Sequence, residues 1–186
     1  MKKTIIPFPQ VPQLAKTDIA YANGDLALRP FYHYEPSLEA FEDVLKQRPR
    51  FDTDRPLLVE VLKRQYATLP DQVAVHENIA ALLDSDTYTV TTAHQPCFLL
   101  GPLYFIYKAL TTINLAEAVT HSNHQGKKVV PVFVLGSEDH DLEELNHANL
   151  FGKRLLWEPG LNGPVGSMDA ATLQPGLVEL KTVLGE

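Results

Sequence analysis

The sequence VVPVFVL, residues 129–135, is a nearly continuous apolar run that follows the turn-forming residues Gly126, Lys127 and Lys128. Such a run is typical of a parallel strand that is covered on both faces. A second stretch rich in β-branched residues, TYTVTT at residues 87–92, precedes it. The residues between them, 103–119, are apolar almost all round, as in a helix that packs against a sheet. This order predicts two parallel strands joined by a crossover helix.

The C-terminal third of the chain is predicted to continue this alternation. The predicted elements are a short helix at residues 141–148, a strand at 154–157 and a final helix at 170–184. Together they indicate an α/β fold with a Rossmann-like parallel-sheet core. Only three strands of this parallel core are predicted, whereas an open doubly wound sheet usually has about five or six. We therefore expect the core to be incomplete.

The first 86 residues do not show the same alternation. The predicted elements are short strands at residues 4–7 and 25–28 and helices at 38–46, from 54 onward and at 72–83. Ser37 and Pro56 supply the start signals for the first two helices. We divide the chain into an N-terminal lead-in and helical block, residues 1–86, and the first part of the Rossmann-like core, residues 87–186.

Composition and charge exclude several classes of protein. The 186 residues include one cysteine, so an internal disulfide or a cysteine-based zinc cluster is ruled out. The net charge of −7 argues against nonspecific nucleic-acid binding, which relies on clustered lysine and arginine. No apolar run approaches the length of about 20 residues that a membrane span needs. The expectation is a cytoplasmic globular protein that binds neither nucleic acid nor membranes.

The first segment with candidate chemistry, HQPCFLLGP, leaves the end of the first predicted strand. Ligands of open α/β sheets bind at this edge, so His94 and Gln95 would face a ligand there. The following helix begins nearby and carries Lys108, and helix N-termini favour anions. The alternatives are that His94 only bonds the backbone and that Lys108 only reaches solvent. Neither a GxGxxG nor a GxxxxGK[ST] motif occurs, and Cys97 is expected to be an unreactive thiol.

The second segment, GSEDHDLEELNH, follows the second strand and holds five acids in seven consecutive positions. On a helix, His140 with Glu144 and Glu143 with His147 would be i,i+4 pairs, which makes a metal site conceivable. The alternative is an acidic helix start that complements the helix dipole. Since both segments follow neighbouring strands, they are expected to face one cleft. There His140 and Glu138 could exchange protons near neutral pH.

Both segments resemble the cysteine ligase family of bacillithiol biosynthesis, the BshC family. The resemblance rests on two long matches in the right order, HQPCFLLGPLYFIYKA and VVPVFVLGSEDHDLEELNH. The stretches FYHY, residues 31–34, and PVG, residues 164–166, also match the family. The matched positions are Gln95, Leu99, Gly101, Pro102, Leu103, Tyr104, Lys108, Pro131, Val132, Phe133, Glu138, Asp139, His140, Asp141, Glu144, Asn146 and His147.

The resemblance implies an enzyme that joins L-cysteine to glucosaminyl-malate, the last step of bacillithiol synthesis. The family core is similar to nucleotidyltransferases and class I aminoacyl-tRNA synthetases. Because an amide bond requires an activated carboxylate, ATP is the expected co-substrate, and no metal is assumed. Family members are expected to dimerise through a C-terminal coiled coil. All 186 residues match the N-terminal portion, so the rest of the core and the coiled coil are expected to lie outside this chain.

The resemblance also implies roles for individual residues. The catalytic set is His94, Glu138, Asp139 and His140, and the substrate-binding set is Gln95, Gly101, Tyr104, Lys108, Asn146 and His147. In this scheme the acids and His140 hold the amine or act as acid and base. Two alternatives stay open: a metal-dependent hydrolase that uses the histidine and carboxylate cluster, and a truncated domain without catalytic activity.

Overall fold

The computed structural model describes residues 4–70, 72–160 and 162–185. The chain forms two compact units. The first consists of Met1–Thr53 with Ser122–Gln125, and the second of Asp54–His121 with Gly126–Glu186. The domain boundary at residue 86 stays a prediction.

The first unit is built from short helices. Its α-helices are α1, Lys16–Ala22, and α2, Phe41–Gln47. The helix expected at residues 38–46 is thus confirmed with a later start, but the two strands expected in the lead-in are wrong. Residues 4–7 have no regular secondary structure, and Leu26–Phe31 form a 3₁₀-helix. Asp25 caps this helix because its Oδ1 accepts a hydrogen bond from the backbone N–H of Ala27 at 2.9 Å.

The second unit contains the predicted parallel strand pair. Strand β1, Thr87–His94, pairs with β2, Lys128–Leu135, from Thr87 opposite Lys128 to His94 opposite Leu135. Helix α5, Leu103–Ser122, connects them, since parallel strands need a long crossover. The strand β1 extends two residues beyond the predicted end, which makes His94 its last residue. The α/β, Rossmann-like character expected from the sequence is confirmed.

Two helices pack against this strand pair. They are α3, Arg55–Tyr66, and α4, Val73–Ala81, and Val59 and Ile79 from them form a core with Val130 of β2. Arg55 fixes the start of α3, because its Nη1 donates to the carbonyl oxygens of Leu82 and Thr87, each at 2.9 Å. The helices expected from residue 54 and at 72–83 are confirmed.

The strand expected at residues 154–157 is confirmed, but its expected place in the parallel sheet is wrong. Strand β4, Lys153–Leu156, instead pairs antiparallel with β3, His147–Leu150, in a hairpin of its own. Only Phe151 and Gly152 connect the two strands, a link that permits antiparallel pairing alone. The pairing of β3 also shortens the helix expected at 141–148 to a single turn, α6, Leu142–Leu145.

A second core lies among the hairpin, the loop after β1 and the last helix, α7, Gln174–Leu184. Its buried members are Phe98, Leu145, Leu155, Trp157 and Val165. The ring of Phe98 occupies the space that a side chain at position 176 would need, since a Cβ added to Gly176 would lie 2.5 Å from Phe98 Cζ. The final helix is confirmed, although its first predicted turn, Ala170–Leu173, is a 3₁₀-helix.

Helix α5 presents an apolar stripe to solvent. Its exposed large side chains include Leu103, Ile106, Tyr107, Leu110 and Ile113, which are spaced along one face. The opposite side buries Thr112, Ala116 and Val119. In the described ranges no helix has the length and apolar character needed to cross a membrane.

The second core generates a stability prediction. Leu155 is 0% exposed and its neighbour Leu156 is 39% exposed. Leu155→Ala should lower the free energy of unfolding by about 2–5 kcal/mol, because it leaves a cavity between the hairpin and α7. Leu156→Ala is the matched control and should change it by less than about 1 kcal/mol. Urea unfolding followed by circular dichroism measures both, and equal losses would contradict the assigned core.

Candidate functional site

The parallel pairing places the ends of β1 and β2 side by side. His94 and Leu135 lie opposite each other, and the backbone N–H of Gly136 donates to the carbonyl oxygen of His94 at 3.0 Å. The two polar segments therefore leave the sheet at the same edge. We call them the first loop, residues 94–102, and the second loop, residues 136–141.

A hydrogen bond joins the two loops. The side-chain amide Nε2 of Gln95 donates to Oδ2 of Asp139 at 2.7 Å. The other oxygen, Oδ1, accepts from the backbone N–H groups of His140 at 2.6 Å and Asp141 at 3.2 Å. The Gln95 bond, followed by these backbone bonds, holds the pKa of Asp139 below its usual range. The expectation that the two segments come together is confirmed, and Asp139 is an ionised carboxylate that shapes its own loop.

His94 is buried and both of its ring nitrogens are engaged. It is 7% exposed, with Nδ1 3.0 Å from the carbonyl oxygen of Gln95 and Nε2 2.9 Å from the hydroxyl of Tyr104. The ring also contacts Phe105 edge to face, with centroids 5.5 Å apart. The backbone-bonded state considered for this histidine is therefore present, together with a second bond to Tyr104.

Cys97 lies beside His94 as a half-buried thiol. Its Sγ is 3.4 Å from His94 Nδ1. Burial raises the pKa of the thiol, the negative charge of Glu144 raises it further, and the positive charge of Lys108 opposes them. This pKa favours the protonated, unreactive thiol over the nucleophilic thiolate.

Gly101 allows the first loop to fold back on itself. A Cβ at this position would lie 2.7 Å from Cys97 Cβ, and the residue has φ +55°. The two preceding residues, Leu99 and Leu100, also have positive φ, 50° and 67°. Such conformations cost about 1–2 kcal/mol for a residue with a side chain, so this loop holds strain beside the candidate site.

Lys108 is exposed on the second turn of α5. Its Nζ donates to the carbonyl oxygen of Ala93 at 3.3 Å and lies 5.7 Å from the ring centroid of Tyr104. The bond to Ala93 places the positive charge of Lys108 near the end of β1. The binding role assigned to Lys108 stays a prediction.

The acidic second loop is mostly open to solvent. Glu138 and His140 are exposed, and Asp139 is half-buried between them. The pairs expected on a helix do not form, because α6 spans only Leu142–Leu145 and excludes both histidines. His147 Nδ1 lies 3.2 Å from the backbone oxygen of Glu143, so it caps that turn instead. Within residues 4–70, 72–160 and 162–185, no cluster of three or more His, Cys, Asp or Glu side chains is placed to hold a metal ion.

Asn146 connects the second loop to the hairpin. Its backbone oxygen accepts from the N–H of Trp157 at 2.6 Å, and its own N–H donates to Leu142 at 2.9 Å. Its side-chain Oδ1 is buried and, among the described residues, has no hydrogen-bond partner. An unpaired buried amide oxygen is costly, so this atom is a candidate acceptor for a ligand.

Residues 165 and 166 hold the second loop from the other side, a role that the sequence did not reveal. The N–H of Val165 donates to the oxygen of Asp139 at 2.8 Å, and the N–H of Gly166 donates to Ser137 at 2.9 Å. A Cβ at Gly166 would lie 2.8 Å from that same Ser137 oxygen. The one available signal was the family match of PVG at 164–166, which marks the segment without explaining it.

The strand pair, its crossover helix and the polar loops at one sheet edge define a Rossmann-like α/β domain. The family model described as "Bacillithiol biosynthesis BshC, N-terminal Rossmann-like domain" matches residues 1–186, and the chain belongs to this family. The expected family membership and fold are thereby confirmed.

Relatives of known name support the same membership. A Cytophaga hutchinsonii protein is 37% identical over 171 residues, which cover 92% of this chain and 33% of the relative. A Flavobacterium psychrophilum protein is 32% identical over 188 residues, covering 100% of this chain and 35% of the relative. Both bear the name "Putative cysteine ligase BshC". The chain thus spans about a third of the length of these relatives, and the roles of its individual residues stay predictions.

The bond between the loops generates a prediction about Asp139. In Gln95→Leu the pKa of Asp139 should rise toward its ordinary value, because the largest contribution that lowers it is removed. This pKa is lower in the folded chain than in the unfolded chain, so the ionised carboxylate stabilises the fold at pH values above its ordinary pKa. That stabilisation is lost as pH falls through the folded-state pKa. In the variant this contribution should be smaller, and its loss should be complete at a higher pH.

Titration of side-chain carboxyl carbons by NMR measures this pKa directly. Gln174→Leu, an exposed glutamine on α7, is the control and should leave the titration of Asp139 unchanged. An Asp139 titration in Gln95→Leu identical to that of the unmodified chain would contradict the hydrogen bond from Gln95 to Asp139.

The contact at Gly166 generates a second prediction. Gly166→Ala should lower the free energy of unfolding by about 1–3 kcal/mol, because the added methyl group collides with Ser137. Gly136→Ala is the matched control, since the nearest atom to its added Cβ is 3.9 Å away. Thermal unfolding of both variants tests the contact, and equal stability of the two would contradict it.

Proposed function

We propose that this chain forms the N-terminal part of a cysteine ligase that joins L-cysteine to glucosaminyl-malate to make bacillithiol. The observation that carries the proposal is the hydrogen bond from Gln95 to Asp139, which unites the two family-matched segments at the carboxyl edge of the parallel strands. Ligands of open α/β sheets bind at this edge. The names of the relatives support a ligase that acts on small molecules.

The exposed residues of the second loop are suited to an amine substrate. Glu138 can hold an ammonium group by charge, and His140 can exchange a proton with it. Asp139 belongs to the same catalytic set, but its oxygens already bond Gln95 and two backbone groups, so it acts by shaping the loop.

The binding residues surround these groups. Lys108 offers a positive charge for a substrate carboxylate, and the unpaired Oδ1 of Asn146 can accept from a donor. Gln95 and His147 position the two loops. Gly101 lets the first loop fold back on itself, so that residue 101 lies close to Cys97. Tyr104 completes the set: it is 44% exposed, and its hydroxyl lies 2.9 Å from His94 Nε2.

ATP is the expected co-substrate, because amide formation needs an activated carboxylate. The backbone N–H groups of Gly136 and Ser137 already bond within the chain, so these two groups are not available to hold a phosphate. The proposal therefore assigns ATP to none of the described residues. A homodimer through a coiled coil and a cytoplasmic location belong to the same proposal for the complete enzyme.

A domain without activity of its own is the second candidate, and the apolar stripe on α5 favours it. The metal-dependent hydrolase has no comparable support, since the described residues offer no metal-binding cluster. Concentration-dependent association in analytical ultracentrifugation would support the second candidate. A monomer that makes bacillithiol alone would contradict it.

A chimeric protein tests the proposed activity. Residues 1–186 are joined to the part of the Cytophaga hutchinsonii relative that follows its matched segment, and bacillithiol is measured by thiol labelling and mass spectrometry. The chimera should form bacillithiol from L-cysteine, glucosaminyl-malate and ATP. His140→Ala should lower kcat by about 10²–10⁴-fold, the range expected for a general acid or base.

His121→Ala is the matched control, because His121 is an exposed histidine near the other end of α5. It should leave the rate within about twofold of the parent, as most surface substitutions away from a site do. A folded chimera that forms no product would contradict the proposed function. Unchanged rates in His140→Ala would contradict the role of that histidine alone.

A further inference from the structure

The arrangement of His94 and Tyr104 separates the roles of two residues that the sequence placed in one site. His94 is 7% exposed, whereas Tyr104 is 44% exposed. The rings of Tyr104 and Phe105 lie 5.1 and 5.5 Å from the imidazole, centroid to centroid. Tyr104 is therefore the more exposed member of the hydrogen-bonded pair.

We propose that Tyr104 is the residue that touches the amine substrate, and that His94 acts through it as a positioning residue and final proton acceptor. The inference rests on the proposed ligase function and assigns the proton transfer within it.

The hydrogen bonds of His94 define which of its ring nitrogens can accept the proton of Tyr104. Nδ1 of His94 lies 3.0 Å from the carbonyl oxygen of Gln95, which can only accept, and 3.4 Å from the sulfur of Cys97. We assign the proton to Nδ1, because that tautomer satisfies the carbonyl and leaves the thiol to donate to the same oxygen. In the neutral imidazole Nε2 then carries a lone pair, and it accepts the hydroxyl proton of Tyr104 across 2.9 Å. The lone pairs of the Tyr104 oxygen remain available for a donor from outside. The Tyr104 oxygen is thus an oriented hydrogen-bond acceptor, and His94 Nε2 is the base that accepts the Tyr104 proton.

The surroundings of the phenol favour proton relay over ionisation. Burial raises the pKa of Tyr104, and the charge of Glu144 and the thiol of Cys97 raise it further. Lys108, 5.7 Å from the ring centroid, is the nearby positive group. A phenol that stays neutral can accept one proton while it gives up another, so it carries no net charge at any stage of the transfer.

The neutral amine attacks the activated carboxyl carbon of cysteine, and a C–N bond forms. The bond from that carbon to the oxygen of its ATP-derived phosphate leaving group breaks, and the electron pair stays on that oxygen. The amine loses one proton to the Tyr104 oxygen as the Tyr104 hydroxyl proton moves to His94 Nε2. The tyrosine ends neutral, and the imidazolium returns its proton to solvent after product leaves.

Tyr104→Phe tests the inference, with Tyr107→Phe as the matched control. Tyr107 lies one turn further along α5 and is 61% exposed. In the chimera described above, Tyr104→Phe should lower kcat by about 10²-fold or more while KM for glucosaminyl-malate changes little, because proton transfer is lost and the binding groups are kept. Tyr107→Phe should leave both values unchanged. A Tyr104→Phe variant with the kcat of the parent would overturn the inference.

A second readout does not depend on ligase activity. In the 186-residue chain labelled with ¹⁵N-histidine, Tyr104→Phe should shift the Nε2 resonance of His94, because its hydrogen-bond donor is removed, and Tyr107→Phe should not. An unchanged Nε2 resonance in Tyr104→Phe would overturn the inference even if ligation is seen. If the resonance shifts in the 186-residue chain but the chimera makes no bacillithiol, the His94–Tyr104 hydrogen bond is supported and the ligase function is refuted.

Discussion

The candidate site depends on one constraint, the parallel pairing of β1 with β2 in a register that ends at His94 and Leu135. The bond from Gly136 to the oxygen of His94 extends this register into the loops. Because parallel strands end at the same edge, two segments about forty residues apart along the chain leave the sheet as neighbours. The bond from Gln95 to Asp139 then closes the gap between them. A shift of the register by one residue would turn every side chain of the shifted strand to the other face.

The second core holds in place the chain segments that leave this sheet edge. Phe98 anchors the first loop in that core, and Leu145 anchors the turn that follows the second loop. The hydrogen bonds from Val165 and Gly166 hold the second loop from the far side. These contacts provide the stabilisation that lets Leu99 and Leu100 keep positive φ angles beside the site. The polar loops are therefore held by apolar packing outside the site itself.

Hydrophobic patterns predicted the elements that are long or strongly periodic. The run at 129–135 and the apolar stretch from residue 103 are unambiguous, and they sufficed to predict the parallel pair and the edge where the polar loops meet. Strand β4 was predicted at 154–157, but its partner β3 was missed, because a strand of four residues carries too little periodicity and Phe151-Gly152 is a weak turn signal. Contacts between single side chains were beyond prediction for a different reason. The partner of Gln95 lies 44 positions away, and the two bonds of His94 follow from backbone geometry that its neighbours impose.

The most direct test of the shared edge is a nuclear Overhauser measurement on the isotope-labelled chain in solution. Cross-peaks between the side-chain amide protons of Gln95 and the β protons of Asp139 report their separation. Strong cross-peaks are expected, together with those between paired residues of β1 and β2 up to His94 and Leu135. Sheet cross-peaks without any between Gln95 and Asp139 would show that this side-chain bond is absent, and would contradict a single site formed by the two matched segments.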